Sequence, residues 1–183
     1  MHHRSSVDLP SETHAQLIDL LNGLVASSID LFTQIKHAHW NVKGPQFISL
    51  HELFDTLADH ARANSDLLAE RVVILGGYAK GTARLAVEGS SLPELEFEDA
   101  LEAPMVQALV AQFARTGKAL RHAIEHAGDD LKDPVTEDIL IEILRQVEMD
   151  TWFLEAHLEG PQQVKARAPH PSRARPEGAG IRH

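Results

Sequence analysis

Apolar residues recur at helical spacing through four long segments of this 183-residue chain. Leucine, isoleucine and valine return every third or fourth residue, so each segment has one apolar stripe. The segments cover about residues 11–41, 47–75, 104–127 and 134–159. Because amphipathic helices bury their stripes against one another, the pattern predicts an all-α fold, a four-helix bundle.

Glycine and proline separate the segments, at Gly44-Pro45, Gly76-Gly77, Gly128 and Gly160-Pro161. We predict Ser11 as the N-cap of the first helix, Pro104 in the first turn of the third, and Asp133-Pro134 as the cap and first position of the fourth. Residues 78–103 form a long connection between the second and third helices.

The periodicity is confined to residues 11–160, which we predict to be one domain. Residues 1–10 are expected to be a short N-terminal tail. Residues 161–183 are rich in Pro, Ala, Arg and Gly and have too few apolar groups to offset the entropy of ordering. We therefore predict a disordered C-terminal tail.

Composition narrows the environment of the protein. The chain has no cysteine, which excludes disulfides and thiolate metal sites. No apolar run approaches the roughly 20 residues that span a bilayer, and the first residues lack the apolar core of a signal peptide. We expect a cytoplasmic protein that does not bind membranes.

Charge is distributed unevenly along the chain. The net charge is −10, but residues 161–183 carry +4, since one glutamate, Glu177, opposes five basic residues: Lys165, Arg167, Arg173, Arg175 and Arg182. Residues 1–10 hold one arginine and one aspartate, which leaves −14 on residues 11–160. An acidic body with a basic tail is predicted.

Two pairs of potential metal ligands lie in the second helix. His51 precedes Asp55 by four residues, and Asp66 precedes Glu70 by four, so each pair shares a helix face. Imidazole and carboxylate together suit iron, and also zinc or manganese. His51 and Glu70 lie roughly 28 Å apart along the axis, too far to share one ion. Two half-sites on one stripe predict a two-fold dimer with antiparallel helices, and two intersubunit sites on the order of 22 Å apart.

Other interpretations of these residues were considered. By spacing alone, a solvated helix face is as plausible as a metal site. The stretch His51-Glu52-Leu53-Phe54-Asp55 has an aspartate where the zinc-protease signature needs its second histidine, which argues against a protease. No glutamate is followed three residues later by histidine, so an iron centre inside one bundle is not expected.

A longer motif resembles a known family. The pattern Lys36-x-x-His39-Trp40-Asn41-x-x-Gly44-x-x-Phe47-x-x-x-His51-x-x-x-Asp55, then Asp66-x-x-x-Glu70-Arg71, is similar to that of the Dps family of bacterial mini-ferritins, which protect DNA in starved or peroxide-stressed cells. The resemblance extends over about residues 11–160. It implies a ferritin-like bundle in which the long connection at residues 78–103 holds a short helix at about 82–90. It also implies a hollow tetrahedral dodecamer and oxidation of Fe(II) by hydrogen peroxide.

The resemblance also implies roles for particular residues. His39, His51 and Asp55 would be iron ligands from one subunit, and Asp66 and Glu70 would come from its two-fold mate. A second iron would bind more weakly, and no haem is expected. Trp40, beside His39, would quench radicals in the family manner, with plain core packing as the alternative.

Two further roles are predicted outside the motif. An acidic cluster at the junction of the third and fourth helices, with Asp129, Asp133 and Asp138, would line an iron-entry pore around a three-fold axis; helix capping is the alternative. Many family members bind DNA through a lysine-rich N-terminal extension, but here the basic residues lie after Pro161. We therefore predict non-specific DNA binding by the C-terminal tail and association with the nucleoid. The alternative function is a DNA-compacting or structural cage in which metal serves only assembly.

Overall fold

The computed structural model describes residues 5–97 and 99–159, and its regular structure there is entirely helical. The elements are α1 (Ser11–Asn41), α2 (Phe47–Ile74), a short α3 (Ala83–Gly89), α4 (Glu102–Glu125), a π-helix (His126–Asp130) and α5 (Pro134–Leu158). Helix α1 packs along α2, and α4 packs along α5, so two helical hairpins form the bundle. The all-α prediction is confirmed.

The core lies between the two hairpins and takes side chains from all four long helices. Fully buried residues include Leu17 and Ile35 of α1, Leu57 of α2, Phe113 of α4 and Leu140 of α5. Removing such a side chain from water contributes about 1.5–3 kcal/mol. These positions lie on the apolar stripes, so the helical periodicity placed the core correctly.

Three helix ends differ from the expected ones. Ser11 is the first helical residue and follows Pro10, and no side chain caps α1. Helix α4 begins at Glu102, two residues earlier than expected, with Pro104 in its first turn as predicted, and the chain continues beyond Glu125 as a π-helix. The cap at the start of α5 is as predicted, since the Asp133 carboxylate accepts a hydrogen bond from the backbone N–H of Val135.

The N-terminal segment is anchored to the bundle from Ser5 onward. The Ser5 hydroxyl donates to the carbonyl of Ile74 at 2.8 Å, and Val7 and Leu9 pack against the core. The predicted tail at residues 1–10 is therefore held in place over its second half. The predicted C-terminal tail, with its five basic residues, lies outside the described residues.

Helix α1 satisfies the length and composition of a membrane span, with a mean hydropathy of 1.3 in its most apolar window. The expectation that no apolar segment approaches the length needed to span a bilayer is therefore wrong. Core helices of bundles meet the same criterion, and α1 contributes Leu17, Leu21 and Ile35 to the core. Its apolarity is explained by packing.

The turn between α1 and α2 is held by the start of α4. Gly44 has φ +150°, and a Cβ there would overlap the carboxyl group of Glu102. The same carboxylate accepts a hydrogen bond from the backbone N–H of Gln46, and the Lys43 N–H donates to the Ala100 carbonyl at 2.9 Å. Glycine is needed at this position, and the turn brings the end of α1 against the start of α2.

Candidate metal centre

His39 and His51 face each other across the turn. The Nδ1 of His39 lies 2.8 Å from the His51 carbonyl oxygen, and the Nδ1 of His51 lies 2.9 Å from the His39 carbonyl oxygen. Because a carbonyl only accepts, each Nδ1 must carry a proton, and in the neutral ring the lone pair is then on Nε2. The rings stack with centroids 3.7 Å apart. This tautomer is the one in which Nε2 can bind a metal ion.

Asp55 lies one turn after His51, and its side chain is 58% exposed. The Lys36 ammonium donates to its Oδ1 at 2.6 Å. This hydrogen bond holds the pKa of Asp55 below its usual value, and the positive charge of Lys36 acts in the same direction. Asp55 is therefore an ionised carboxylate at neutral pH, with Lys36 as its counter-ion.

Asp66 and Glu70 are exposed farther along α2. Among the described residues, neither carboxylate has a hydrogen bond or an ion pair. No group of three or more His, Asp or Glu side chains in residues 5–97 and 99–159 could hold a metal ion. The structure thus brings His39 and His51 together with Asp55 nearby, and it does not bring Asp66 or Glu70 to them within one chain.

Trp40 is on the surface, with 70% of the residue exposed. The Lys36 Nζ lies 6.0 Å from the centroid of its ring. Core packing within the chain, the alternative role for Trp40, is therefore excluded. The indole lies on the same side of the bundle as the Lys36–Asp55 pair.

The acidic junction between α4 and α5 divides into exposed and buried carboxylates. Asp129 and Asp138 are exposed, whereas Asp133 is only 3% exposed. The guanidinium of Arg71 donates to Asp133 Oδ2 at 2.7 Å, and the Thr136 hydroxyl also donates to it. Burial opposes ionisation of Asp133, but these hydrogen bonds outweigh burial and hold its pKa below the usual value. The Asp133 carboxylate is thus occupied in joining α2 to α5, which agrees with the capping role.

A second polar contact between α2 and α5 was not expected from the sequence. Asp150 is 1% exposed and lies 3.0 Å from Nδ1 of His60, while Gln146 donates to it at 2.9 Å. Burial raises the pKa of Asp150, and the hydrogen bonds from Gln146 and His60 only partly offset this. The sequence did contain a signal for this contact, because Asp150 lies at helical spacing between Val147 and Leu154 in an otherwise apolar stripe.

Comparison with known proteins decides the family. Residues 18–164 match the ferritin-like domain. The chain is 38% identical over 157 residues to the DNA protection during starvation protein of Agrobacterium fabrum, covering 86% of this chain and 96% of that protein. The chain belongs to the Dps family.

Solved Dps structures agree with this assignment. DpsA14 from Streptomyces coelicolor matches with a TM-score of 0.81 and 35% identity, over 88% of this chain and 95% of that chain. The tetragonal form of Dps from Mycobacterium smegmatis matches with a TM-score of 0.82 and 31% identity, over 88% and 97%. The predicted ferritin-like bundle is confirmed.

Proposed function

We propose that this Dps-family protein oxidises Fe(II) at sites shared by two subunits and stores Fe(III) inside a hollow dodecamer. The observation that carries the proposal is the reciprocal hydrogen bonding of His39 and His51, which leaves two Nε2 atoms free near the Asp55 carboxylate. Asp66 and Glu70 of the two-fold mate complete the ligand set. Within one chain they lie too far along α2 to reach the same ion.

Hydrogen peroxide is the oxidant that this site would use best. Two Fe(II) ions each give one electron, and one peroxide takes both electrons and two protons to form two water molecules. Paired transfer avoids the one-electron step that releases hydroxyl radical. The second iron would be held by Asp55, Glu70 and water, and so more weakly. Carboxylate oxygens also favour Fe(III), the harder ion.

Two surface features support accessory roles. The exposed indole of Trp40, close to Lys36, suits a side chain that intercepts stray radicals beside the iron site. The exposed carboxylates of Asp129 and Asp138 suit an acidic iron-entry pore around a three-fold axis, because repeated like charges focus cations. Asp133 is paired with Arg71, so we assign it to capping and leave it out of the pore.

Protection of DNA would follow from removing Fe(II) and peroxide together. We expect the cage in the cytoplasm, associated with the nucleoid through non-specific contacts of the basic residues after Pro161. The competing function is a DNA-compacting or structural cage in which metal serves only assembly. Catalytic consumption of peroxide in the presence of Fe(II) separates the two.

The first test replaces His51 and Asp55 with alanine and follows Fe(II) oxidation by stopped-flow absorbance, with peroxide and with oxygen. The wild-type protein should react much faster with peroxide. The double variant should lose on the order of 100-fold or more in rate, since losing even an outer-shell partner of a metal ligand costs about 10–100-fold. The control is the Glu52→Ala/Thr56→Ala protein, whose two substitutions are also four residues apart on α2, each one position after a candidate ligand. It should keep the wild-type rate. A double variant as fast as wild type would contradict the assignment of His51 and Asp55 as iron ligands.

The same assay tests whether the site is shared. Inactive His51→Ala and Glu70→Ala proteins are mixed and refolded together. In a mixed dimer one site collects both substitutions and the other collects none, so part of the activity should return. If co-assembled mixtures remain inactive, all the ligands belong to one chain.

A further inference from the structure

The exposed stripe of α2 holds more than the two ligand pairs. Midway between them lie Asp59 and Arg62, whose side chains are 71% and 67% exposed. Toward the two ends of the helix lie Ile48 and Val73, which are 62% and 45% exposed. With 3.6 residues per turn, these residues and the ligands on α2 fall within an arc of about 100°. One face of α2 therefore presents apolar, metal-binding and charged residues to whatever covers it.

These residues are arranged symmetrically about one point, midway between His60 and Ala61. Four pairs are equidistant from it: His51 and Glu70, Asp55 and Asp66, Asp59 and Arg62, and Ile48 and Val73. In an antiparallel pair of identical helices related by a two-fold axis at this point, each residue lies level with its counterpart in the other copy. One register therefore matches ligand with ligand, opposite charge with opposite charge, and apolar with apolar.

We propose that Asp59 and Arg62 set the register in which α2 packs against α2 of a second copy. The inference rests on the proposed intersubunit site and names the residues that align its two halves. Each Asp59 faces the partner's Arg62, so two reciprocal ion pairs flank the axis. Sliding the helices by one turn in one direction would bring carboxylate against carboxylate, Asp59 against Asp66. Sliding them the other way would bring Asp59 level with the buried Ala58 and without its arginine.

The contact between Asp59 and Arg62 within one chain leaves both groups available for a partner. Arg62 Nε lies 3.6 Å from Asp59 Oδ1, beyond ordinary hydrogen-bonding distance, and both groups are in water. In the dimer, Ile48 covering Val73 would bury apolar surface at both ends of the stripe, while contact of the two helices at the axis would take the charge pairs partly out of water and strengthen them. Like charges brought together there would be correspondingly unfavourable.

Charge reversal tests the proposal, with native mass spectrometry and light scattering at low salt as the readout. In Asp59→Arg, arginine faces arginine at every contact, and in Arg62→Asp, aspartate faces aspartate. Each variant alone should need a protein concentration on the order of tenfold higher or more to assemble. In an equimolar mixture, two arginines of one copy face two aspartates of the other, so mixed pairs should form at wild-type concentrations. A purely intrachain role for these residues gives no such rescue, because each chain keeps its own like-charged pair.

Controls separate this proposal from the proposed function. Circular dichroism should show wild-type helix content in both variants, and Glu88→Arg on α3 should assemble as wild type does. The proposal is overturned if either single variant assembles normally, or if the mixture assembles no better than its components. Fe(II) oxidation is measured independently on the wild-type protein. If mixing restores assembly but the wild-type protein does not oxidise Fe(II), only the proposed function is contradicted. If the wild-type protein oxidises Fe(II) but mixing does not restore assembly, only the proposed register is contradicted.

Discussion

At the scale of single residues, the state of two imidazoles decides what the site can do. A histidine binds a metal through a nitrogen that carries a lone pair, and the partner of its other nitrogen selects which one that is. Here the backbone carbonyls of His39 and His51 make that selection for each other. The candidate ligand atoms are thus selected by backbone geometry within one chain.

In the proposed site, Lys36 would compete with the metal ion for Asp55. Replacing it with methionine keeps much of the side-chain volume but removes the hydrogen bond at 2.6 Å and a positive charge beside the site. Both changes favour a bound cation, so Fe(II) affinity should rise severalfold at pH 7. Anaerobic calorimetric titration would measure it, with Lys118→Met on α4 as the control. Equal or weaker binding in the Lys36 variant would show that this lysine does not compete with the metal.

At the scale of the helices, two buried polar contacts join α2 to α5 across the bundle. Arg71 bonds to Asp133 near one end, and His60 meets Asp150 near the middle of α2. For the buried Arg71–Asp133 ion pair, removing one partner should cost about 3–5 kcal/mol, because the remaining charge is left without compensation. These contacts specify how the second hairpin sits on the helix that carries most of the candidate ligands.

The pKa of Asp150 makes a prediction about stability and pH. Burial raises this pKa in the folded state above the ordinary value of 3.8. The ionised carboxylate therefore costs stability at neutral pH, and the cost disappears as pH falls toward 3.8. Asp150→Asn still accepts a hydrogen bond but carries no charge, so it should melt at a higher temperature than wild type at pH 8. The advantage should shrink at pH 4.5.

Thermal unfolding followed by circular dichroism measures the effect, and each 1 kcal/mol should appear as about 2–4 °C for a chain of this size. Asp19→Asn, at an exposed position on α1, should change the melting temperature little at either pH. A lower melting temperature for Asp150→Asn at pH 8 would mean that attraction to His60 outweighs burial.

At the scale of the whole molecule, the acidic body and the basic C-terminal segment oppose each other in any encounter with DNA. The chain carries −10 overall, so a single copy should be repelled. Many copies in one cage would present many arginine-rich segments together, and multivalent contacts add without needing strong individual ones. Binding of this kind is independent of DNA sequence and weakens steeply with salt.

Deleting residues 161–183 should therefore abolish a low-salt gel shift of long duplex DNA while leaving Fe(II) oxidation unchanged. A matched variant that keeps the segment but replaces Lys165, Arg167, Arg173, Arg175 and Arg182 with glutamine should behave like the deletion. If the deletion abolishes DNA binding but the glutamine variant does not, the segment binds DNA through contacts that do not depend on its charge. An unchanged shift after both alterations would place DNA binding elsewhere.

The sequence by itself determined the helices and the candidate ligands on α2. Helical periodicity is a local property, and so is the spacing of His51, Asp55, Asp66 and Glu70 along one stripe. The helix breaks at Gly44 and Gly76 were also predicted from the sequence, and both glycines have positive φ in the structure. The π-helix after Glu125 could not be predicted, because a glycine such as Gly128 indicates the end of a helix and does not distinguish a plain end from a π-helical turn.

Only the tertiary structure decided which polar groups meet. The His39–His51 pairing depends on a turn held by Glu102 from another hairpin. Burial of Asp133 against Arg71 and of Asp150 against His60 joins residues 62 and 90 positions apart, and neither contact follows from local spacing. A carboxylate in an acidic cluster can be a solvated pore ligand or a buried cap, and the choice depends on which side chains the fold brings to it.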